Sequence, residues 1–143
     1  MNRARRIAIL VAEGIDVTGA QAIHAALVSE GVEPRFVGPR AGVVRGGNGA
    51  DLEVQDSLDG RDLQFDALVL PEGDASARAL MQEGQAVELV KSLHRERKPI
   101  LAVGAGTLLL EAARLPLPDP GLLVAETTEE GARSFVAALH RAS

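Results

Sequence analysis

The segment Lys98-Pro-Ile-Leu-Ala-Val-Gly-Ala-Gly-Thr107 has the layout of a nucleophile elbow without the nucleophile. A short apolar run, Ile100 to Val103, feeds a tight turn at Gly104-Ala105-Gly106, and an apolar helical pattern follows from Thr107. Such a strand–turn–helix can lift a Ser or Cys over the end of a parallel sheet, where its oxygen or sulfur is free to attack a carbonyl. Here the apex is Gly104, which has no side chain. The layout of an active site is present and its attacking group is absent.

The other groups able to do chemistry cluster at the same end of the expected sheet. The carboxyl ends of three strands fall at Ala12–Asp16, Leu70–Asp74 and Val103–Thr107, and present Glu13, Asp16, Glu72, Asp74 and Thr107. In an open α/β sheet ligands bind at such ends. Carboxylates beside a helix N-terminus and a glycine turn suit an active site or a metal cup. The plainer reading is surface acids, with Asp16 or Thr18 capping a helix. Gly104-Ala105-Gly106-Thr107-Leu108-Leu109 starts like a dinucleotide fingerprint, but Leu109 stands where a third glycine belongs. Gly46-Gly47-Asn48-Gly49 lacks the Lys-Ser/Thr of a phosphate loop and reads as a hairpin turn.

Metal and thiol chemistry have little to work with. There are no cysteines, which excludes disulfides, thiolate metal sites and thiol nucleophiles. His24, His94 and His140 lie far apart in expected helices and form no His-Glu-x-x-His pattern. No metal site is expected. The serines, including Ser57 and Ser76, fall in helices, caps or tails rather than at an elbow.

The elements that must position these groups are readable from periodicity. Ile7–Ala12 is an apolar run of a strand buried on both faces, as in a parallel sheet. Asp16–Glu30 reads as a helix that Thr18 can cap, with Ala20, Ile23, Ala26 and Leu27 as its stripe and Gly31 ending it. Pro34–Gly38 is a short strand, and Val43–Val54 holds two extended pieces around the glycine turn. Ser57–Leu63 is a connection, Asp66–Leu70 a buried strand stopped by Pro71, and Ala75–Met81 a short helix. Gln85–Arg97 is an amphipathic helix, with Ala86, Leu89, Val90 and Leu93 on one face. Strand Ile100–Val103, helix Leu108–Ala113, a stiff connector with Pro116, Pro118 and Pro120, strand Leu122–Ala125 and helix Glu129–Arg141 complete the chain. That last helix is expected to turn Ala132, Phe135, Val136 and Leu139 inward. Strands alternating with helices imply right-handed crossovers and a doubly wound parallel sheet. One domain spanning 1–143 is expected, with its first few and last two or three residues loose.

Composition narrows the partners. Apolar residues are 46% and charged residues 24%, ordinary for a globular chain. With three Phe and neither Trp nor Tyr, the core must be aliphatic. The net charge of −5 argues against nucleic acid as a partner. Basic residues are scattered, except in Arg3-Ala-Arg-Arg6 and His94-Arg-Glu-Arg-Lys98. The apolar run after the first arginines stops at Glu13, too short for a signal segment, and nothing approaches the roughly 20 apolar residues of a membrane span. No membrane partner and a cytoplasmic location are the expectation.

Taken in order, Ile7-Ala-Ile-Leu-Val-Ala12, Phe65-Asp-Ala-Leu-Val-Leu-Pro71 and Lys98-Pro-Ile-Leu-Ala-Val-Gly104 resemble the class I glutamine amidotransferase-like superfamily. It includes the PfpI-type intracellular proteases and the Parkinson's-disease-associated chaperone/deglycase proteins. The resemblance implies an α/β, flavodoxin-like fold: a doubly wound, mostly parallel sheet with helices on both faces, plus a small β-hairpin. Active members place a Cys at the elbow, often followed by His, and a Glu after the first strand. By that match Gly104 stands at the Cys position, Ala105 at the His position and Asp16 near the Glu position. A pair of glycines that often follows the fourth-strand proline appears as Glu72-Gly73. The elbow at Gly104 and Ala105 is therefore vestigial.

A closer resemblance is to the C-terminal domain of large-subunit monofunctional catalases. Arg5-Arg-Ile-Ala-Ile-Leu-Val-Ala-Glu-Gly-Ile-Asp16 is similar to that domain's opening. Val37-Gly-Pro-Arg-Ala-Gly42, Ser57-Leu-Asp-Gly60, Phe65-Asp-Ala67 and Lys98-Pro-Ile100 follow in similar order. Pro120-Gly-Leu-Leu-Val124 and Phe135-Val-Ala-Ala-Leu-His-Arg141 resemble its ending. The resemblance implies a non-catalytic, structural or chaperone-like domain of a parent that dismutates hydrogen peroxide. Its partners would be the haem core and a homo-oligomer, a tetramer in the parent. No cofactor is expected in this segment, because the family ligates haem through a Tyr and this chain has none. The alternative is a free-standing superfamily member binding a small ligand in a vestigial cleft of Asp16, Glu72, Gly73, Gly104, Ala105 and Gly106. A third reading is an enzyme with a rearranged carboxylate centre at Asp16 or Glu72.

Overall fold

A computed structural model describes residues 5–60, 64–117, 119 and 121–141. Both chain ends, expected to be loose, lie outside the described residues, as do 61–63 of the expected connection and Pro118 and Pro120 of the stiff connector.

The chain runs β1 (Arg6–Leu10), α1 (Val17–Ser29), β2 (Glu33–Gly38), β3 (Gly42–Arg45), β4 (Asp51–Val54), β5 (Asp56–Ser57), β6 (Ala67–Leu70), α2 (Asp74–Met81), α3 (Gly84–Arg95), β7 (Ile100–Val103), α4 (Thr107–Ala112), β8 (Leu122–Ala125) and α5 (Thr128–Arg141). Six strands form one sheet in the order β5-β2-β1-β6-β7-β8, and every pairing in it is parallel. The strand order reverses between β1 and β6, so the crevice for a ligand opens past their carboxyl ends. β3 and β4 form the expected antiparallel hairpin, with Arg45 opposite Asp51.

Alternate residues of each central strand serve opposite faces, as a pleated strand requires. Ile7, Ile9, Ala67, Val69, Leu101 and Val103 pack under α1, α5 and the hairpin. Ala8, Leu10, Leu68, Leu70, Ile100 and Ala102 pack under α2, α3 and α4. Both faces are covered, which is why these strands are apolar without alternation. The stripe of α3 is buried as its period demands: Ala86, Leu89, Val90 and Leu93.

Several boundaries differ from the sequence reading, each for a local reason. α1 begins at Val17 and is capped by Asp16, whose side chain accepts the Gly19 N–H; Thr18 is exposed within the first turn. The connection expected at Ser57 instead starts as an edge strand, because the Val37–Gly38 backbone offers Asp56–Ser57 a parallel partner. α3 stops at Arg95, two residues early, and Arg97 takes the left-handed conformation, φ +60°, that ends a helix. In α5, Gly131 is buried with Phe135 and Leu139, while Ala132 and Val136 are only half-buried.

His24 of α1 stacks on Phe36 of β2 with ring centroids 5.0 Å apart. Burial lowers its pKa below the ordinary 6.5. Both folded and unfolded chains carry it neutral at pH 8. As pH falls through 6.5 the unfolded chain takes up the proton first, so folding stability declines until the folded value is also passed. His24→Gln is expected to flatten this part of the stability–pH curve. Urea midpoints measured between pH 8 and 5 check it, and an unchanged slope would refute the assignment.

No helix among the described residues is long and apolar enough to cross a membrane.

Candidate functional site

The three loops at the carboxyl ends of β1, β6 and β7 meet at one residue, Glu72, through its carbonyl and its carboxylate. Pro71 ends β6, and Gly73, at φ +141°, turns the chain into α2. A Cβ on Gly73 would lie 3.0 Å from the Ile15 Cα and 3.1 Å from the Asp16 nitrogen. Glycine there lets the β6–α2 turn lie directly on the β1–α1 loop, and the Asp16 N–H donates to the Glu72 carbonyl at 3.1 Å.

Glu72 then reaches sideways to β7. Its Oε1 accepts the Ala105 N–H at 2.9 Å and the Gly73 N–H at 3.3 Å. The turn Gly104–Gly106 is a single turn of 3₁₀ helix, and Gly104 sits at φ +51°, in the left-handed region that favours glycine. A Cβ at Gly104 would collide with the Glu72 carboxylate. The carboxylate therefore fills the space in which a nucleophile's side chain would begin. Gly106 is required for a different reason: a Cβ there would run into the Leu70 carbonyl. The Thr107 hydroxyl donates to the Gly104 carbonyl at 2.9 Å and closes the turn.

Two backbone N–H groups converging on one acceptor could stabilise an oxyanion. In this chain that capacity is consumed internally, by a carboxylate that already holds both. The remaining acids are occupied by structure. Glu13 accepts the Arg45 N–H at 2.8 Å and ties the hairpin to the β1–α1 loop. Asp74 pairs with Arg78 in the open at 2.8 Å. Asp16 caps α1 through the Gly19 N–H at 3.2 Å. Asp16→Ala is therefore expected to cost about 1 kcal/mol, the usual price of an N-cap, in a thermal or urea unfolding series. A neutral result would mean that the cap is satisfied by water.

The fold thus brings Glu72, Gly73, Gly104, Ala105 and Gly106 together, with Asp16 joined through its backbone. Sequence reading missed Ser76. It is 1% exposed, and its hydroxyl oxygen accepts the Ala12 N–H at 2.9 Å, pinning α2 to the end of β1. The signal was a small polar residue in the first turn of a helix that follows a buried strand.

The chain offers no phenolate or thiolate to the iron of a haem. The chain has neither Tyr nor Cys. His24 stacks on Phe36, His94 contacts Asp119 at 3.2 Å and His140 contacts Glu30 at 2.7 Å. No cluster of three or more His, Asp or Glu among the described residues could hold a metal ion.

The profile of the DJ-1/PfpI family matches residues 5–116. The catalase HPII of Pseudomonas aeruginosa is 32% identical over 130 residues, covering 90% of this chain and 18% of that protein. The catalase HPII of Mycobacterium avium is 37% identical over 112 residues, covering 77% of this chain and 16% of that protein. The chain thus spans less than a fifth of the length of these relatives. Among solved structures, the VC2308 protein superposes with a TM-score of 0.85 at 22% identity, covering 96% of this chain and 87% of that one. Schizosaccharomyces pombe DJ-1 gives a TM-score of 0.81 at 17% identity, covering 96% of this chain and 92% of that one.

Proposed function

The chain belongs to the DJ-1/PfpI family, and from that premise we propose that it is a non-catalytic domain of a large-subunit, catalase-type protein. Residues 1–143 act in this reading as one domain whose role is structural or chaperone-like. The observation that carries it is the Glu72 carboxylate, standing where a nucleophile would and holding the Ala105 N–H of the Gly104 turn and its own neighbour's, Gly73. The similarity to catalases HPII supports the parentage. In the parent, haem would reside in the remaining sequence and carry out peroxide dismutation. This domain would add stability by mass action, since a surface that docks on the folded core but not on the unfolded chain raises the unfolding free energy. Apolar residues are available for such contact: Val43 on the hairpin is 66% exposed and Val124 on the edge strand β8 is 49% exposed.

The free-standing alternative, with a small ligand in the Gly104 cleft, is weakened by the same carboxylate, which repels anions and leaves neither N–H free. A rearranged carboxylate enzyme is weakened because Asp16 is committed to its cap. Purification from the source, with intact mass and an absorption spectrum, separates the readings. A mass several times 15.0 kDa with a haem band is the expected result. A mass near 15.0 kDa without haem would reject the catalase parent.

A further inference from the structure

At the opposite end of the sheet from Glu72, the amino ends of β7 and β8 and the C-terminal ends of α3 and α5 border an open cleft of about 780 Å³. That volume lies within the range of small-molecule sites. Its rim carries Arg95, Arg97, Lys98 and Arg141, although the chain as a whole is acidic, with a net charge of −5. Pro99, Leu123 and Ala138 supply apolar wall.

Helix-end electrostatics explain only part of this charge. Basic side chains in a last helical turn complement the macrodipole, which accounts for His94 and Arg95 of α3 and for Arg141 of α5. Arg95 is also partnered, by Glu88 at 3.3 Å. Arg97 and Lys98 lie beyond the end of α3. Their backbone N–H groups already satisfy the His94 and Leu93 carbonyls, so their side chains are not needed to close the helix. Arg97, Lys98 and Arg141 form no ion pair among the described residues. Arg97 moreover occupies a left-handed position, φ +60°, where glycine would be the relaxed choice. A strained backbone thus carries a charged side chain at the mouth of the cleft. The single acid among the described lining residues, Asp119, is held by the Gly121 N–H at 2.8 Å and by His94 at 3.2 Å, which lower its pKa and keep it on the wall.

We propose that this cleft is a binding site for a small polyphosphate, with Arg97, Lys98 and Arg141 contacting its oxygens. Three cations, two following α3 and one ending α5, match a ligand with several charged oxygens, and guanidinium groups bind phosphate bidentately. An inorganic polyphosphate and a nucleoside triphosphate share this chemistry. The apolar wall at Pro99, Leu123 and Ala138 would favour the nucleotide.

Calorimetric titration of the purified protein with tripolyphosphate and with ATP, at low and at high salt, tests the site. Saturable binding of either that weakens as salt rises is expected. Tighter binding of ATP would assign the ring to the apolar wall, and equal binding would assign a phosphate-only site. Lys98→Glu is expected to weaken binding at least about tenfold, the loss of one charge-assisted contact. Arg97→Gly supplies a control that a folding defect cannot mimic: it should raise the thermal midpoint while weakening binding. No binding of either ligand at millimolar concentration, or binding unchanged in both variants, overturns the proposal.

Discussion

Gly104→Cys is expected to destabilise the fold by about 2.5–5 kcal/mol and to yield a sluggish thiol. Two costs add. A residue with a Cβ at φ +51° carries about 1–2 kcal/mol of left-handed backbone strain. The new side chain must also displace the Glu72 carboxylate from the Ala105 N–H, a charged hydrogen bond of about 1.5–3 kcal/mol. Because residues 1–143 contain no cysteine, the introduced thiol can be followed without background in a protein of these residues. A carboxylate beside a thiol disfavours the thiolate, so its pKa should stand above the usual value of about 8.5. Urea unfolding measures the stability loss, and alkylation rates against pH measure the thiol. In Gly104→Cys/Glu72→Gln the neutral amide keeps an acceptor near the N–H groups and removes the repulsion, so the alkylation midpoint should fall. A single variant with a midpoint below about 7 would contradict the arrangement, because the N–H groups would then be serving the thiolate.

Phe135→Ala is expected to cost about 3–5 kcal/mol, the usual loss for a fully buried aromatic ring. Phe135 is 0% exposed on the inner face of α5, one of three aromatic residues in the chain. One turn earlier, Gly131 brings α5 close to the sheet. A Cβ there would sit 3.1 Å from a Val103 methyl and 3.3 Å from the Ala125 Cβ. The backbone of α5 is therefore held near β7 and β8 and cannot collapse freely into a void left by the ring. Domains of this kind have total stabilities of about 5–15 kcal/mol, so the variant forfeits a large share. Phe135→Leu should recover part of it, because the leucine side chain refills much of the space that alanine leaves empty. Guanidinium denaturation of both variants checks this. A loss below about 1 kcal/mol in the alanine variant would show that α5 is not anchored by the ring.

The sequence by itself determined the layers. Apolar runs such as Ile7–Val11 and Ile100–Val103 have nowhere to go but the middle of a covered sheet, and the period of α3 selects its buried face without help. It also determined what chemistry is lacking, since no cysteine stands at the elbow or elsewhere. The elbow glycine, the hairpin turn and the family were legible for the same reason: each is written in contiguous residues. What tertiary structure alone decided are relations between distant segments. Asp56–Ser57 has no strand pattern and becomes one because the edge of β2 is open to it. Asp16 outcompetes Thr18 as the cap, its own N–H being held by the Glu72 carbonyl. The Glu72 carboxylate was visible as an acid at a strand end, but its occupation of the Gly104 turn depends on β6 and β7 lying side by side. Arg141 reaches the rim shared with Arg97 and Lys98 because α5 packs back along the sheet. Periodicity reports burial, which is a local property of a pattern, whereas the content of a site is set by which strands pair.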